Sequence, residues 1–242
     1  MTTSAKFLGA DLAQAQAICV LIHGRGQSPA DMDEMVVSRM LAGMFSGGGI
    51  DADAPDEGTT ALAAMDPETI CIALPAALGA SWYDARAIDP LTPQTRSQLA
   101  AGLDTLTGLI AHLRATRPGV PLVLAGFSQG ACLAIEYLMT TSDLPDAAAL
   151  FTGCRVGLPT DGLPTRDLAG LPVYASCGDE DPWIPADAYF RMLADLTGAG
   201  ARLRADIFPG RPHTVTDTEI AALSGFLGAL RDGTPILTKG DT

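Results

Sequence analysis

Ser128 stands at the centre of Gly126-Phe-Ser-Gln-Gly130, and a serine with glycines two positions to either side can act as a nucleophile in one local setting. That setting is a strand, a sharp turn and a helix. Val120 to Ala125 is an apolar, partly β-branched run suited to a buried strand. Residues 129 to 140 lack proline and carry Leu133, Ile135, Tyr137 and Leu138 at helical density. Such a turn folds the backbone back on itself and leaves no room for a Cβ at the flanking positions, which gives Gly126 and Gly130 a physical reason. The hydroxyl then sits at a helix N-terminus, where partial positive charge favours an oxyanion. An ordinary strand-loop-helix junction fits these five residues equally well, so the partners decide.

A serine hydroxyl needs an imidazole to take its proton and a carboxylate to hold that imidazole in the right tautomer. The chain has three histidines. His112 faces away from the apolar stripe of its helix, and His23 ends an apolar run in Leu21-Ile-His-Gly-Arg-Gly26. His213 closes Phe208-Pro-Gly-Arg-Pro-His213, a loop after the last strand, where an open α/β sheet gathers its site. It is the preferred base. The segment Cys177-Gly-Asp-Glu-Asp-Pro-Trp-Ile-Pro185 offers Asp179, Glu180 and Asp181 between nucleophile and base, again after a strand. Three close acids could also hold a cation, but the glycine and the later bidentate glutamate of a calcium loop are missing. The oxyanion of an acyl-transfer intermediate needs main-chain donors. The candidates are the N–H of Gln129 and that of Arg25, in the loop His23-Gly-Arg-Gly26. Arg25 and Arg211 fall in loops expected at the mouth of the site, with their guanidinium groups expected to face solvent or pair with surrounding acids, the commoner fate of a loop arginine.

The elements that must position these residues alternate. Strand-like runs lie at Ala17 to Ile22, Thr69 to Leu74, Val120 to Ala125, Ala147 to Thr152, Leu171 to Ser176 and Arg202 to Phe208. Ser28-Pro-Ala-Asp31 opens a helix expected to reach about Phe45. Residues 92 to 116 carry Leu99, Leu103, Leu106, Ile110 and Leu113 on one stripe. Pro185 opens a helix to about Thr197, and the capping box Thr216-Asp-Thr-Glu219 opens one to Leu230. This alternation predicts an α/β fold with a mainly parallel central sheet and helices on both faces. A single domain over 1–242 is expected, with a glycine-rich, acidic surface insertion at about 46–66.

Net charge is −13, which disfavours nucleic acid and anionic bilayers, and no apolar run is long enough to span a membrane. The five cysteines are scattered among apolar residues without a Cys-x-x-Cys pair, so buried thiols in a reducing compartment are expected. The N-terminus lacks a cationic start followed by an apolar block, which points to a cytoplasmic protein.

Taken together, HGRG, SWYD at 81–84, GFSQGA, GDEDPWIP and PGRPH resemble the phospholipase/carboxylesterase branch of the α/β-hydrolases, including acyl-protein thioesterase-like bacterial carboxylesterases, over about residues 17–230. The resemblance implies a triad of Ser128, Asp181 and His213, and it is the resemblance that selects Asp181 over Asp179. It implies carboxylester hydrolysis of a small-molecule substrate through an acyl-enzyme, without cofactor or metal. Trp82 and Trp183, both in site loops, are expected as pocket walls. A thioesterase or lysophospholipase acting on longer acyl chains would use the same machinery, and a non-catalytic binding protein on a hydrolase fold would keep the fold without the chemistry. A homodimer is compatible with the sequence.

Overall fold

The computed structural model describes residues 5–43 and 68–237. The strands are β1 (Ala5–Gly9), β2 (Ala17–Ile22), β3 (Ile70–Pro75), β4 (Leu122–Phe127), β5 (Ala147–Phe151), β6 (Pro172–Gly178) and β7 (Arg202–Phe208). They form one sheet in the order β1-β3-β2-β4-β5-β6-β7. Every pairing is parallel except β1 with β3. The helices are α1 (Pro29–Met32), α2 (Ser38–Gly43), α3 (Pro93–Thr116), α4 (Gln129–Thr140), α5 (Ala186–Gly198) and α6 (Asp217–Arg231). This is the expected α/β-hydrolase architecture.

Alternation along the strands assigns the two faces. Ile18, Val20 and Ile22 of β2 belong to one core cluster with Leu106 and Ile110 of α3, Leu133 of α4 and Met192 of α5. Ala17, Cys19 and Leu21, pointing the other way, pack with Met32, Val36 and Val37 and with Ile220, Leu223 and Leu227 of α6. The chain leaves β2 along one face and reaches β4 along the other, so a crevice opens at the carboxyl ends of these adjacent strands, the usual place for a ligand in an open α/β sheet.

Two features differ from the sequence expectation. β1 was not expected, because it is a short edge strand with Phe7 exposed and no clean alternation of buried and exposed positions. The helix after Ser28 starts at the expected capping box but is interrupted by a π-helical stretch, Asp33–Val37, between α1 and α2. Val36 and Val37 of that stretch are buried in the core cluster that also holds Ile220, Leu223 and Leu227 of α6. The expected end at Phe45 of the helix after Ser28, and the expected insertion at 46–66, lie outside the described residues.

Candidate active site

The turn at Ser128 is as tight as the glycines require. Ser128 has φ 53° and ψ −119°, a conformation that non-glycine residues avoid, and it links β4 directly to α4. Its N–H donates to Phe151 O at 2.9 Å. A Cβ on Gly126 would lie 2.5 Å from the Gly130 carbonyl, and a Cβ on Gly130 would lie 2.2 Å from Ile22 O. Both contacts are with backbone, so neither can be relieved by rotating a side chain.

Three loops then converge. Ser128 Oγ lies 2.9 Å from His213 Nε2, and His213 Nδ1 lies 2.7 Å from Asp181 Oδ2. With Nδ1–H donating to the carboxylate, Nε2 is free to accept the serine proton. Asp181 is buried, and its other oxygen accepts the N–H groups of Trp183 and Ile184, each at 2.9 Å. Burial pushes this carboxyl up, but the bonds from His213, Ile184 and Trp183 outweigh it and hold the group below the ordinary aspartate value. Asp179 does a different job: it is exposed and accepts the Gly210 N–H at 2.7 Å, fixing the turn that leads toward His213.

The loop of His213 is anchored from beneath by Arg211. This arginine, whose side chain was expected to face solvent or pair with a surrounding acid, is buried and paired with Glu219. Its Nη1 donates to Glu219 Oε1 at 2.6 Å and to Thr214 O at 2.9 Å, and its Nη2 donates to Thr152 Oγ1. Glu219 is also buried, accepts the Ser176 hydroxyl, and completes the capping box of α6 through Thr216. The carboxylate read in the sequence as a helix cap therefore also neutralises a buried guanidinium.

On the opposite side, the N–H groups of Arg25 and Gln129 make no hydrogen bond among the described residues. The Arg25 side chain turns away to donate to Asp84 O at 2.8 Å and to Ala85 O. His23 is buried, with Nδ1–H donating to Gly24 O at 2.8 Å and Nε2 accepting the Ala77 N–H at 3.1 Å. Both ring nitrogens are occupied, so His23 holds the loop and is not positioned to act as a base. Burial lowers its pKa, against opposing contributions from the Gly24 carbonyl and Asp31.

A cavity of about 210 Å³ opens beside Ser128, Gln129 and His213, with Tyr83, Ala87, Cys132 and Ile184 among its walls. Trp183 is 59% exposed and lines it. Trp82 does not. It is buried, with Nε1–H donating to His23 O at 2.9 Å and its ring against the His23 imidazole, so the expected pocket wall is a support beneath the loop. The thiols are buried; burial raises the pKa of Cys71 to about 11, whereas hydrogen bonds from Cys154 and Tyr83 outweigh burial and lower that of Cys132. No helix of the described residues is long and apolar enough to cross a membrane.

The family model described as phospholipase/carboxylesterase matches residues 67–231, which include Ser128, Asp181 and His213. The chain belongs to the phospholipase/carboxylesterase family. Among its relatives, acyl-protein thioesterase 1 of Cryptococcus neoformans is 26% identical over 165 residues, covering 61% of this chain and 69% of that protein. The crystal structure of a phospholipase/carboxylesterase from Dyadobacter fermentans aligns with a TM-score of 0.72 at 25% identity, covering 93% of this chain and 96% of that one. The Bacillus cereus carboxylesterase, at 17% identity and a TM-score of 0.63 over 95% of both chains, shares the fold.

For a phospholipase/carboxylesterase family member, several walls went unread in the sequence. Cys132 follows Ser128 by four residues and so shares its helical face, a signal that was available. Tyr83, Arg86 and Ala87 belong to a loop without regular structure, and no periodicity announces which of its side chains turn inward.

Proposed function

We propose that this family member is a serine carboxylesterase working through an acyl-enzyme. The carrying observation is the hydrogen-bonded chain from Ser128 Oγ through His213 to Asp181, at 2.9 and 2.7 Å. His213 Nε2 takes the hydroxyl proton as Oγ bonds to the ester carbonyl carbon. The Arg25 and Gln129 N–H groups receive the negative charge that develops on the carbonyl oxygen. The tetrahedral intermediate collapses, the carbon–oxygen bond to the alcohol breaks, and His213 returns the proton to the departing alkoxide. A water, deprotonated by His213, then attacks the acyl carbon and releases the acid with Ser128 restored. Asp181 stays ionised and orients the imidazole throughout.

The small cavity, with Tyr83 and Ile184 among its walls, favours small to medium acyl or aryl groups. The nearest cations are already engaged: Arg25 by main-chain carbonyls and Arg86 by Asp89 at 2.8 Å. Neutral esters are therefore the proposed substrates. A single domain over 1–242 is part of this reading, supported by the union of all described strands in one sheet. A thioesterase reading rests on the likeness to acyl-protein thioesterase 1. Hydrolysis of p-nitrophenyl esters and acyl thioesters over a series of chain lengths tests the assignment. Maximal kcat/KM on short oxygen esters is expected, and maximal kcat/KM on long acyl thioesters would replace the first reading by the second. Labelling of wild type but not Ser128→Ala by a fluorophosphonate separates either enzyme from a binding protein.

A further inference from the structure

We infer that the side chain of Gln129 is a positioning residue for the oxyanion hole, and that it works by gripping the same stretch of main chain that Arg25 grips. The inference rests on the proposal that the Arg25 and Gln129 N–H groups receive the oxyanion.

The main chain of four consecutive residues is gripped by the side chains of the two proposed donors. Gln129 Oε1 accepts the Trp82 N–H at 2.9 Å, and its Nε2 donates to Tyr83 O at 2.7 Å. Arg25 Nη1 donates to Asp84 O at 2.8 Å and its Nη2 to Ala85 O, with the guanidinium 5.9 Å from the centre of the Tyr83 ring. Each donor residue thus points its main-chain N–H one way and anchors its side chain on the segment Trp82–Ala85. That segment is itself tied down. Trp82 Nε1–H donates to His23 O, the Gly26 N–H donates to Ala80 O at 2.8 Å, and Gln98 bonds both the main-chain N–H and the carboxylate of Asp84. The His23–Gly26 loop and the start of α4 are therefore registered against one common reference.

The residue type at 129 follows from this duty. The next positions along α4, Ala131, Cys132, Leu133, Ala134 and Ile135, are buried and carry no strongly polar group. A buried carboxamide is costly unless both its donor and its acceptor are satisfied, and the Trp82 N–H and Tyr83 C=O satisfy both. Methionine would fill the same space and anchor nothing. Glutamate would keep the Trp82 bond and turn a bare oxygen toward Tyr83 O. Oxyanion stabilisation depends on donors aimed at where charge develops, so loosening the first peptide of α4 should damage the transition state more than substrate binding.

The test compares wild type with Gln129→Met on a neutral chromogenic ester, counting active sites with a fluorophosphonate and measuring the Ki of a trifluoromethyl ketone, which forms a tetrahedral adduct with the serine. The expected result is a fall of about 10²-fold in kcat per labelled site with KM nearly unchanged, and a parallel rise in Ki. If Gln129→Met does not fold, Gln129→Glu keeps one of the two bonds and should show the same split at smaller amplitude. A folded variant with wild-type kcat per site and wild-type Ki overturns the inference, as does a loss confined to the number of labelled sites. Ser128→Ala is run alongside. Activity surviving in it refutes the nucleophile itself, whereas an inactive Ser128→Ala beside a wild-type-like Gln129→Met refutes only the role given to the carboxamide.

Discussion

The two flanks of Ser128 are held by different forces. On the side of Arg25 and Gln129, neutral and cationic side chains bond main-chain groups of the segment Trp82–Ala85, and no carboxylate takes part in those bonds. On the side of His213, buried charges do the holding: Asp181 against the imidazole, and Glu219 against Arg211. The difference follows from what each flank must deliver. In the proposed mechanism two amide N–H groups have to point at one place, a matter of main-chain geometry. An imidazole has to keep one tautomer and tolerate a passing positive charge, which calls for a fixed carboxylate.

The comparison predicts a descending series of effects. Ser128→Ala and His213→Ala should each lower kcat by on the order of 10⁶-fold, with the double variant scarcely worse, because groups acting as a unit are non-additive. Steady-state kinetics on the three variants checks this, and losses that multiply would mean the two residues do not act together. Asp181→Asn should lower kcat by about 10⁴-fold through the wrong imidazole tautomer. Asp179→Asn, which loses only a loop contact, should do far less, and the opposite ranking would reassign the carboxylate.

The next effect falls on stability. Replacing Arg211 by Met leaves Glu219 buried without its cation and should cost about 3–5 kcal/mol in urea unfolding, the usual penalty for halving a buried pair. The control is Arg191→Met, which removes an exposed pair with Asp187 and should leave the midpoint unchanged. If both behave alike, the charged flank is not held as described.

The smallest effect distinguishes the flanks by pH. His23 has a pKa lowered by burial, so between the ordinary histidine value of about 6.5 and its own lower value the unfolded chain binds the proton that the folded chain refuses. Its contribution to stability is therefore present above about pH 6.5 and is lost as pH falls through that window. Thermal melts of wild type and His23→Phe from pH 7.5 to 5 should show a flatter decline in the variant, even though its midpoint at pH 7.5 is lower. An equal slope in both would remove His23 as the source.

Much of this was legible one residue at a time. The strand, glycine and helix signals around Ser128 are local, because sterics at Gly126 and Gly130 act over a few bonds, and the turn observed at Ser128 is the one they require. The alternation of strands and helices, and with it the parallel sheet, is likewise a periodicity carried by neighbouring residues. The burial of Arg211 and of Trp82 went unread for a common reason. Each lies in a loop near the site, and loop sequence does not record which way a side chain turns. Arg211 turns inward because Glu219 and Thr152 wait beneath it, and Trp82 because the His23 carbonyl accepts its indole N–H. The choice among Asp179, Glu180 and Asp181 was open to spacing for the same reason, and in the structure Asp181 is the one bonded to His213. What the sequence determined by itself were the elements and the turn, since backbone sterics and periodic burial are encoded locally. Which buried groups meet was decided only when the strands lay side by side, because a hydrogen bond or ion pair between distant residues exists only once tertiary packing has removed water and brought the partners together.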